Sequence, residues 1–180
     1  DSPRAYLERC LECIDTREPQ VKAWVVLNLE NARKAADESG KRYRQGKPLS
    51  VIDGMPLGIK DVLQTRDMPT ELGSPIFKGR ETNLDTASVN ALRLAGGVIL
   101  GKTVTTEFAF VKPGPTTNPF DPQATPGGSS SGTSAAVGAG MIPAGLGNQV
   151  VGSVIRPASY CGNFAIKPTM GALHNGEGLS

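Results

Sequence analysis

The chain has 180 residues, enough for one domain with a hydrophobic core. Its 19 basic and 17 acidic residues leave a net charge of +2 without a block of one sign, which gives no indication of a nucleic-acid or membrane partner. No apolar run approaches the roughly 20 residues of a membrane span, and three cysteines do not suit a disulfide scaffold. We therefore expect a cytoplasmic protein.

Helix and strand patterns alternate along the chain. Ser2 and Pro3 predict the start of the first helix, because serine is a common N-cap and proline is favoured at the first helical position. The elements that follow are a strand at 21–27, a helix at 28–46, a buried strand at 57–63, a helix at 82–95, a buried strand at 98–104, a short helix at 105–110, a loop at 113–128, a helix at 131–140 with Ser131 as its N-cap, and strands at 142–147 and 163–166. This alternation predicts an α/β fold with parallel strands.

Residues 126–137, Pro-Gly-Gly-Ser-Ser-Ser-Gly-Thr-Ser-Ala-Ala-Val, are the most informative segment. A flexible linker is one interpretation, but the residues from Ala135 onward continue a helical pattern. A phosphate-binding loop is a second interpretation. This segment, however, contains neither Gly-x-x-x-x-Gly-Lys-Ser/Thr nor Gly-x-Gly-x-x-Gly. The third interpretation makes the serines catalytic, which requires a base close by.

The base for such a serine is a histidine or a neutral lysine. The single histidine, His174, follows an apolar residue near the end of the chain, where a structural role is more common. Lys60 lies in an apolar strand pattern, where burial lowers the pKa of an amine and favours its neutral form. Lys102 follows a second strand and is the alternative, although its ordinary interpretation is a surface lysine at a strand end.

Five motifs carry a family resemblance in the same order along the chain. They are Gly-Met-Pro-Leu-Gly-Ile-Lys-Asp at 54–61, Pro-Gly-Gly-Ser-Ser-Ser-Gly at 126–132, Leu-Gly-x4-Gly-Ser at 146–153, Arg-Pro-Ala-Ser-Tyr-Cys-Gly at 156–162 and Lys-Pro-Thr at 167–169. Together they resemble the amidase signature family, over essentially the whole chain. The resemblance implies an α/β fold with a mixed, largely parallel central sheet flanked by helices.

The resemblance also implies a Ser–cis-Ser–Lys mechanism. Lys60 matches the base, Ser129 matches the serine that follows a cis peptide bond and relays the proton, and Ser153 matches the nucleophile that forms an acyl-enzyme. The implied oxyanion hole consists of the backbone N–H groups of Val150, Val151, Gly152 and Ser153.

The segment before Ser153 departs from the family pattern, which is commonly Thr-Asp-x-Gly-Gly-Ser-Ile-Arg. The chain has Asn-Gln-Val-Val-Gly-Ser-Val-Ile at 148–155. Gln149 replaces the acid and Ile155 the arginine, which suggests that an ion pair has been exchanged for neutral groups. Val151 replaces a glycine and would be strained if that position required a positive φ. We expect Arg156 to bond backbone carbonyls and Cys161 to serve packing.

The main functional prediction is an amidase that hydrolyses the C–N bond of a small-molecule carboxamide through an acyl-serine. It implies no cofactor, no metal, no nucleic acid and no membrane, and it leaves a homo-oligomer open. One alternative is the glutaminase subunit of an aminoacyl-tRNA amidotransferase, which passes ammonia to a partner. Another is a non-catalytic relative with an altered oxyanion turn. Because relatives are longer, we expect residues 1–180 to be the N-terminal part of a single amidase signature domain.

Overall fold

A mixed four-stranded sheet lies at the centre of the computed structural model, which describes residues 2–172. The strands are β1 (Trp24–Leu27), β2 (Pro56–Lys60), β3 (Val98–Thr103) and β4 (Ala144–Leu146), in the spatial order β1-β3-β2-β4. β2 runs parallel to both β3 and β4, and β1 pairs antiparallel with β3. The predicted mixed, largely parallel sheet is therefore confirmed.

Helices flank this sheet. They are α1 (Pro3–Val21), α2 (Leu29–Arg44), α3 (Ala87–Leu94), α4 (Ser131–Gly138) and α5 (Ile155–Tyr160), with short 3-10 turns at Pro75–Phe77 and Glu107–Ala109. α1 packs on α2, while α4 contacts the sheet and α5. Within residues 2–172, none of the helices combines the length and the apolar character of a membrane span.

The core forms on both sides of the sheet. Val98 and Leu100 of β3 join buried residues of α1, α2 and α4 on one side. Ile99, between them, packs with Leu57 and with Val89 of α3 on the other side. Neighbouring side chains of a strand point to opposite faces, so a strand covered on both faces reads as a continuous apolar run.

Several predicted boundaries are wrong by a few residues. The first helix starts as expected, with the Ser2 hydroxyl accepting from the Ala5 N–H at 3.1 Å, but it continues through Val21 and shortens the first strand. The strand predicted at 57–63 ends at Lys60, and the helix predicted at 82–95 begins only at Ala87. The N-cap of α4 is Ser130, one residue before the predicted one.

The strand predicted at 163–166 is absent from the described residues, and α5 was not predicted. The Asn163 N–H donates to the Ala158 carbonyl at 2.8 Å, and its side-chain amide donates to the Ser134 carbonyl at 2.7 Å. These bonds dock the segment against α4 and α5. Phe164 and Ile166 consequently stay exposed.

The sheet brings three motifs to one edge. Lys60 is the last residue of β2, and Asn148 follows the end of β4 by two residues. Because neighbouring parallel strands end at the same edge of a sheet, these residues come together. The Gly-Ser turn leads into α4, which contacts both strands, so its serines reach the same place.

Candidate active site

Lys60 is a fully buried lysine with only uncharged partners among the described residues. Its Nζ lies 2.6 Å from Ser129 Oγ, 2.7 Å from Asn148 Oδ1 and 3.4 Å from the Asn148 carbonyl oxygen. Burial lowers the pKa of Lys60 from its usual 10.5 to about 7. Near neutral pH a substantial fraction of this amine is therefore neutral and able to accept a proton.

Ser129 sits at a peptide bond of unusual geometry. The bond between Gly128 and Ser129 is cis, as the family resemblance implies. Ser129 is buried, and its carbonyl accepts the Thr106 N–H at 3.1 Å. Gly127, two residues before Ser129, has a φ of +73°, and a Cβ added there would lie 2.9 Å from the Cα of Pro157. Glycine is therefore needed at residue 127 for both conformation and space.

Arg156 holds the same turn from the side of α5. Its Nε and Nη2 donate to the Gly128 carbonyl at 3.0 and 2.8 Å. The expectation that Arg156 bonds a backbone carbonyl is thus confirmed. This carbonyl belongs to the peptide bond that precedes Ser129. Arg156 therefore holds in place the backbone that carries the Ser129 hydroxyl toward Lys60.

Ser153 is half-buried and belongs to the segment that leads into α5. Its carbonyl accepts the Ser130 N–H at 3.1 Å, which ties it to the residue after Ser129. Within residues 2–172, the Ser153 hydroxyl makes no hydrogen bond. The structure therefore joins Lys60 and Ser129 by direct contact and joins Ser153 to them through the backbone.

The predicted oxyanion segment is exposed and has unused donors. Val150 and Val151 are 82% and 92% exposed, and Gly152 is half-buried. The backbone N–H groups of 150–153 donate to no other residue in the described part of the chain. Val151 is not among the described residues with a positive φ, so the valine that replaces a glycine there carries no left-handed strain.

Gln149 replaces the acid of the family pattern and caps the start of α5. Its Oε1 accepts the N–H groups of Val154 and Ile155 at 2.8 and 2.9 Å, and its Nε2 donates to the Val151 carbonyl at 3.1 Å. A neutral amide thus satisfies N–H donors that a helix start leaves free. The turn is closed without the ion pair of the family pattern.

Lys102 is not a surface lysine, which corrects its sequence interpretation. It is fully buried, with its Nζ 3.0 Å from Asp61 Oδ1, 2.8 Å from Thr70 Oγ1 and 3.0 Å from the Pro69 carbonyl. Burial lowers the pKa of Lys102, and the buried Asp61 carboxylate counteracts that lowering. Among the described residues, the polar partners of this lysine are Asp61, Pro69 and Thr70 and none of the serines, so it is committed to an ion pair.

Cys161, the other sequence candidate that the structure describes, is a packing residue. Cys161 is buried, its Sγ donates to the Pro126 carbonyl at 3.4 Å, and burial raises the pKa of its thiol to about 11. This supports its predicted packing role. His174 lies outside the described residues. In the part of the chain that the structure describes, no three His, Cys, Asp or Glu side chains are grouped to hold a metal.

Comparison with known proteins identifies relatives by sequence. A protein of Chloroflexus aggregans, named as a subunit of glutamyl-tRNA(Gln) amidotransferase, is 42% identical over 170 residues, which are 91% of this chain and 35% of that protein. The protein of the same name from Leptospira interrogans is 39% identical and is matched over 96% of this chain and 37% of its own length. The chain thus spans little more than a third of these curated relatives.

Solved structures share the fold. A structure described as a crystal structure of amidase has a TM-score of 0.86 at 30% identity, covering 100% of this chain and 42% of that one. The native peptide amidase of Stenotrophomonas maltophilia has a TM-score of 0.81 at 30% identity, covering 88% and 35%. The profile of the family described as Amidase matches residues 5–176. The chain therefore belongs to the amidase family, the amidase signature enzymes.

Proposed function

We propose that the protein hydrolyses the C–N bond of a carboxamide, with Ser153 as nucleophile, Ser129 as proton relay and Lys60 as base. The observation that carries this proposal is the contact of 2.6 Å between a buried Lys60 amine and the Ser129 hydroxyl. A pKa of about 7 gives that amine the protonation behaviour of a general base at neutral pH.

The proposed reaction proceeds in two halves. Neutral Lys60 takes the proton of Ser129, Ser129 takes that of Ser153, and Ser153 Oγ attacks the amide carbonyl. The tetrahedral intermediate collapses as its C–N bond breaks, and the proton held by Lys60 returns through Ser129 to the leaving nitrogen. Water then attacks the acyl-serine with the same base, which releases the carboxylic acid and restores Ser153.

The free donors beside Ser153 support this mechanism. The negative charge of the intermediate develops on the carbonyl oxygen and needs fixed hydrogen-bond donors. Among the described residues, the N–H groups of Val150, Val151, Gly152 and Ser153 have no acceptor, and they are suited to that task. Their availability, and the absence of Val151 from the described residues with a positive φ, favour a working site over a non-catalytic relative.

The sequence relatives favour a more specific second candidate, the glutaminase subunit of an aminoacyl-tRNA amidotransferase. Relatives that are 34–42% identical over most of this chain are named as subunits of glutamyl-tRNA(Gln) amidotransferase. In that role the substrate is the side-chain amide of glutamine, and the ammonia released passes to a partner subunit. The same three residues carry the chemistry.

Ammonia release from a panel of amides tests the proposal. We expect the complete protein to release ammonia from at least one of glutamine, a small aliphatic amide or a peptide amide, and Ser153→Ala to abolish this release. Ser159→Ala, exposed on α5, is the matched control and should retain it. Full activity in Ser153→Ala would overturn the assignment of the nucleophile. Preference for glutamine, together with co-purification of a second subunit, would select the amidotransferase role.

Labelling with a fluorophosphonate tests whether Ser153 is nucleophilic and does not require a known substrate. We expect peptide mass spectrometry to find the adduct on Ser153 and to find none after Lys60→Met, because the base no longer activates the hydroxyl. An adduct at another serine would contradict the assignment. Complete inertness toward both the reagent and the amides would favour the non-catalytic relative.

A further inference from the structure

Asn148 presents a side-chain carbonyl oxygen to Lys60 at a position where the family pattern commonly has a threonine. We propose that Asn148 is a positioning residue, which directs the lone pair of the Lys60 amine at Ser129 and supplies the acceptor that the ammonium form needs. This inference rests on the proposed role of Lys60 as base.

The first step is the donor count of a neutral amine. Neutral Lys60 has two N–H donors and one lone pair. Its three partners within residues 2–172 are Ser129 Oγ, Asn148 Oδ1 and the Asn148 carbonyl. Both oxygens of Asn148 only accept, whereas the serine hydroxyl can donate. When the two N–H groups point at Asn148, the lone pair faces the Ser129 hydroxyl. That is the orientation in which the amine removes a proton.

The second step concerns the protonated amine. Its three N–H donors then match three acceptors, so Asn148 stabilises the ammonium form and opposes the effect of burial. Among the described residues no carboxylate reaches Lys60, because Asp61, the next residue of the chain, is paired with Lys102 of β3. From α5, Arg156 donates to the Gly128 carbonyl, while α4 and β4 contain no ionisable residue. The amide dipole of Asn148 is therefore a principal polar influence on Lys60.

The fold explains why residue 148 can do this. Leu146 of β4 pairs with Ile59 of β2, so the chain beyond β4 passes the end of the strand that carries Lys60. A threonine hydroxyl at the same place could donate as well as accept and would not impose a direction on the amine. An asparagine that presents its carbonyl oxygen does impose one.

Direct titration of Lys60 tests the proposal without any substrate. Lysine labelled with ¹³C at Cε is incorporated into the complete protein, and Lys60→Met identifies the Lys60 signal. Asn148→Asp places a charge beside the amine and should raise the pKa of Lys60 by about one to three pH units. Asn148→Leu, of similar size, removes the side-chain acceptor and should lower it. Asn90→Asp, exposed on α3, adds the same charge elsewhere and should leave the titration unchanged.

Opposite displacements in the two Asn148 variants support the proposal, and an unchanged Lys60 titration in either folded variant overturns it. If one variant does not fold, as judged by circular dichroism, the other decides by the same criterion. The acidic limb of the pH profile of kcat/KM should move in the same directions. Because the titration needs no turnover, a failure here is distinguishable from a failure of the proposed function, which appears in the ammonia assay.

Discussion

Replacing Lys60 by methionine should stabilise the fold in a manner that depends on pH. The unfolded chain binds a proton at this lysine up to its usual pKa of 10.5, whereas the folded protein releases it near 7. Between these values the unfolded state holds more protons, so the stability of the parent protein rises with pH across that window. Each pKa unit corresponds to about 1.4 kcal/mol, so the buried lysine costs up to roughly 5 kcal/mol below pH 7.

The methionine variant is free of that cost at every pH. It should therefore exceed the parent in free energy of unfolding by the largest margin near pH 6, and the margin should shrink by about 2 to 3 kcal/mol by pH 9. Equilibrium urea unfolding of both proteins over this range measures the margin. Groups that titrate equally in both proteins cancel in the difference, and a change in packing adds only a constant.

A margin that stays constant from pH 6 to pH 9 would refute the reasoning. It would mean that Lys60 titrates alike in the folded and unfolded states, so burial would not prepare it as a base. The test depends on the change of the margin with pH and not on its sign at one pH. A loss of packing in the variant therefore does not obscure the result.

Two further predictions concern the surroundings of the site. Gly127→Ala should lower the free energy of unfolding more than Gly79→Ala does. Both glycines have a positive φ, so alanine at residue 79 should cost roughly 1 to 2 kcal/mol, but only residue 127 also lacks room for a Cβ. Equal losses of the two variants in urea unfolding would contradict this. Asp61→Asn and Lys102→Met should each cost about 3 to 5 kcal/mol, and the double variant much less than their sum; additive losses would exclude a coupled buried pair.

The sheet and the Lys60–Ser129 contact were accessible from the sequence. The apolar runs that form β2 and β3 are typical of strands buried on both faces, which do not alternate with polar residues. The pairing of Lys60 with Ser129 came from motif order in the family resemblance. Burial of a lysine among apolar neighbours predicted the direction of its pKa, which the structure confirms.

Other features depend on contacts that a linear pattern does not contain. The ion-pair partner of Lys102 is Asp61, which follows the end of the neighbouring strand β2 but is 41 positions away in the sequence, so the pattern around Lys102 alone predicts an exposed lysine. The sequence does not predict α5, because Pro157 interrupts its helical pattern. Its start is capped by the side chain of Gln149, which precedes the helix by six residues. A signal for Asn148 did exist, since a polar residue just after β4 must lie near the end of β2.

The turn that carries Ser129 is held by main-chain carbonyls. Arg156 bonds the Gly128 carbonyl, and the Ser130 N–H bonds the Ser153 carbonyl. Neither tether uses a hydroxyl, so removing a hydroxyl by Ser129→Ala or Ser153→Ala leaves both in place. Either inactive variant would keep the shape of its binding surface. It could therefore retain an unconverted amide substrate, which mass spectrometry would then identify.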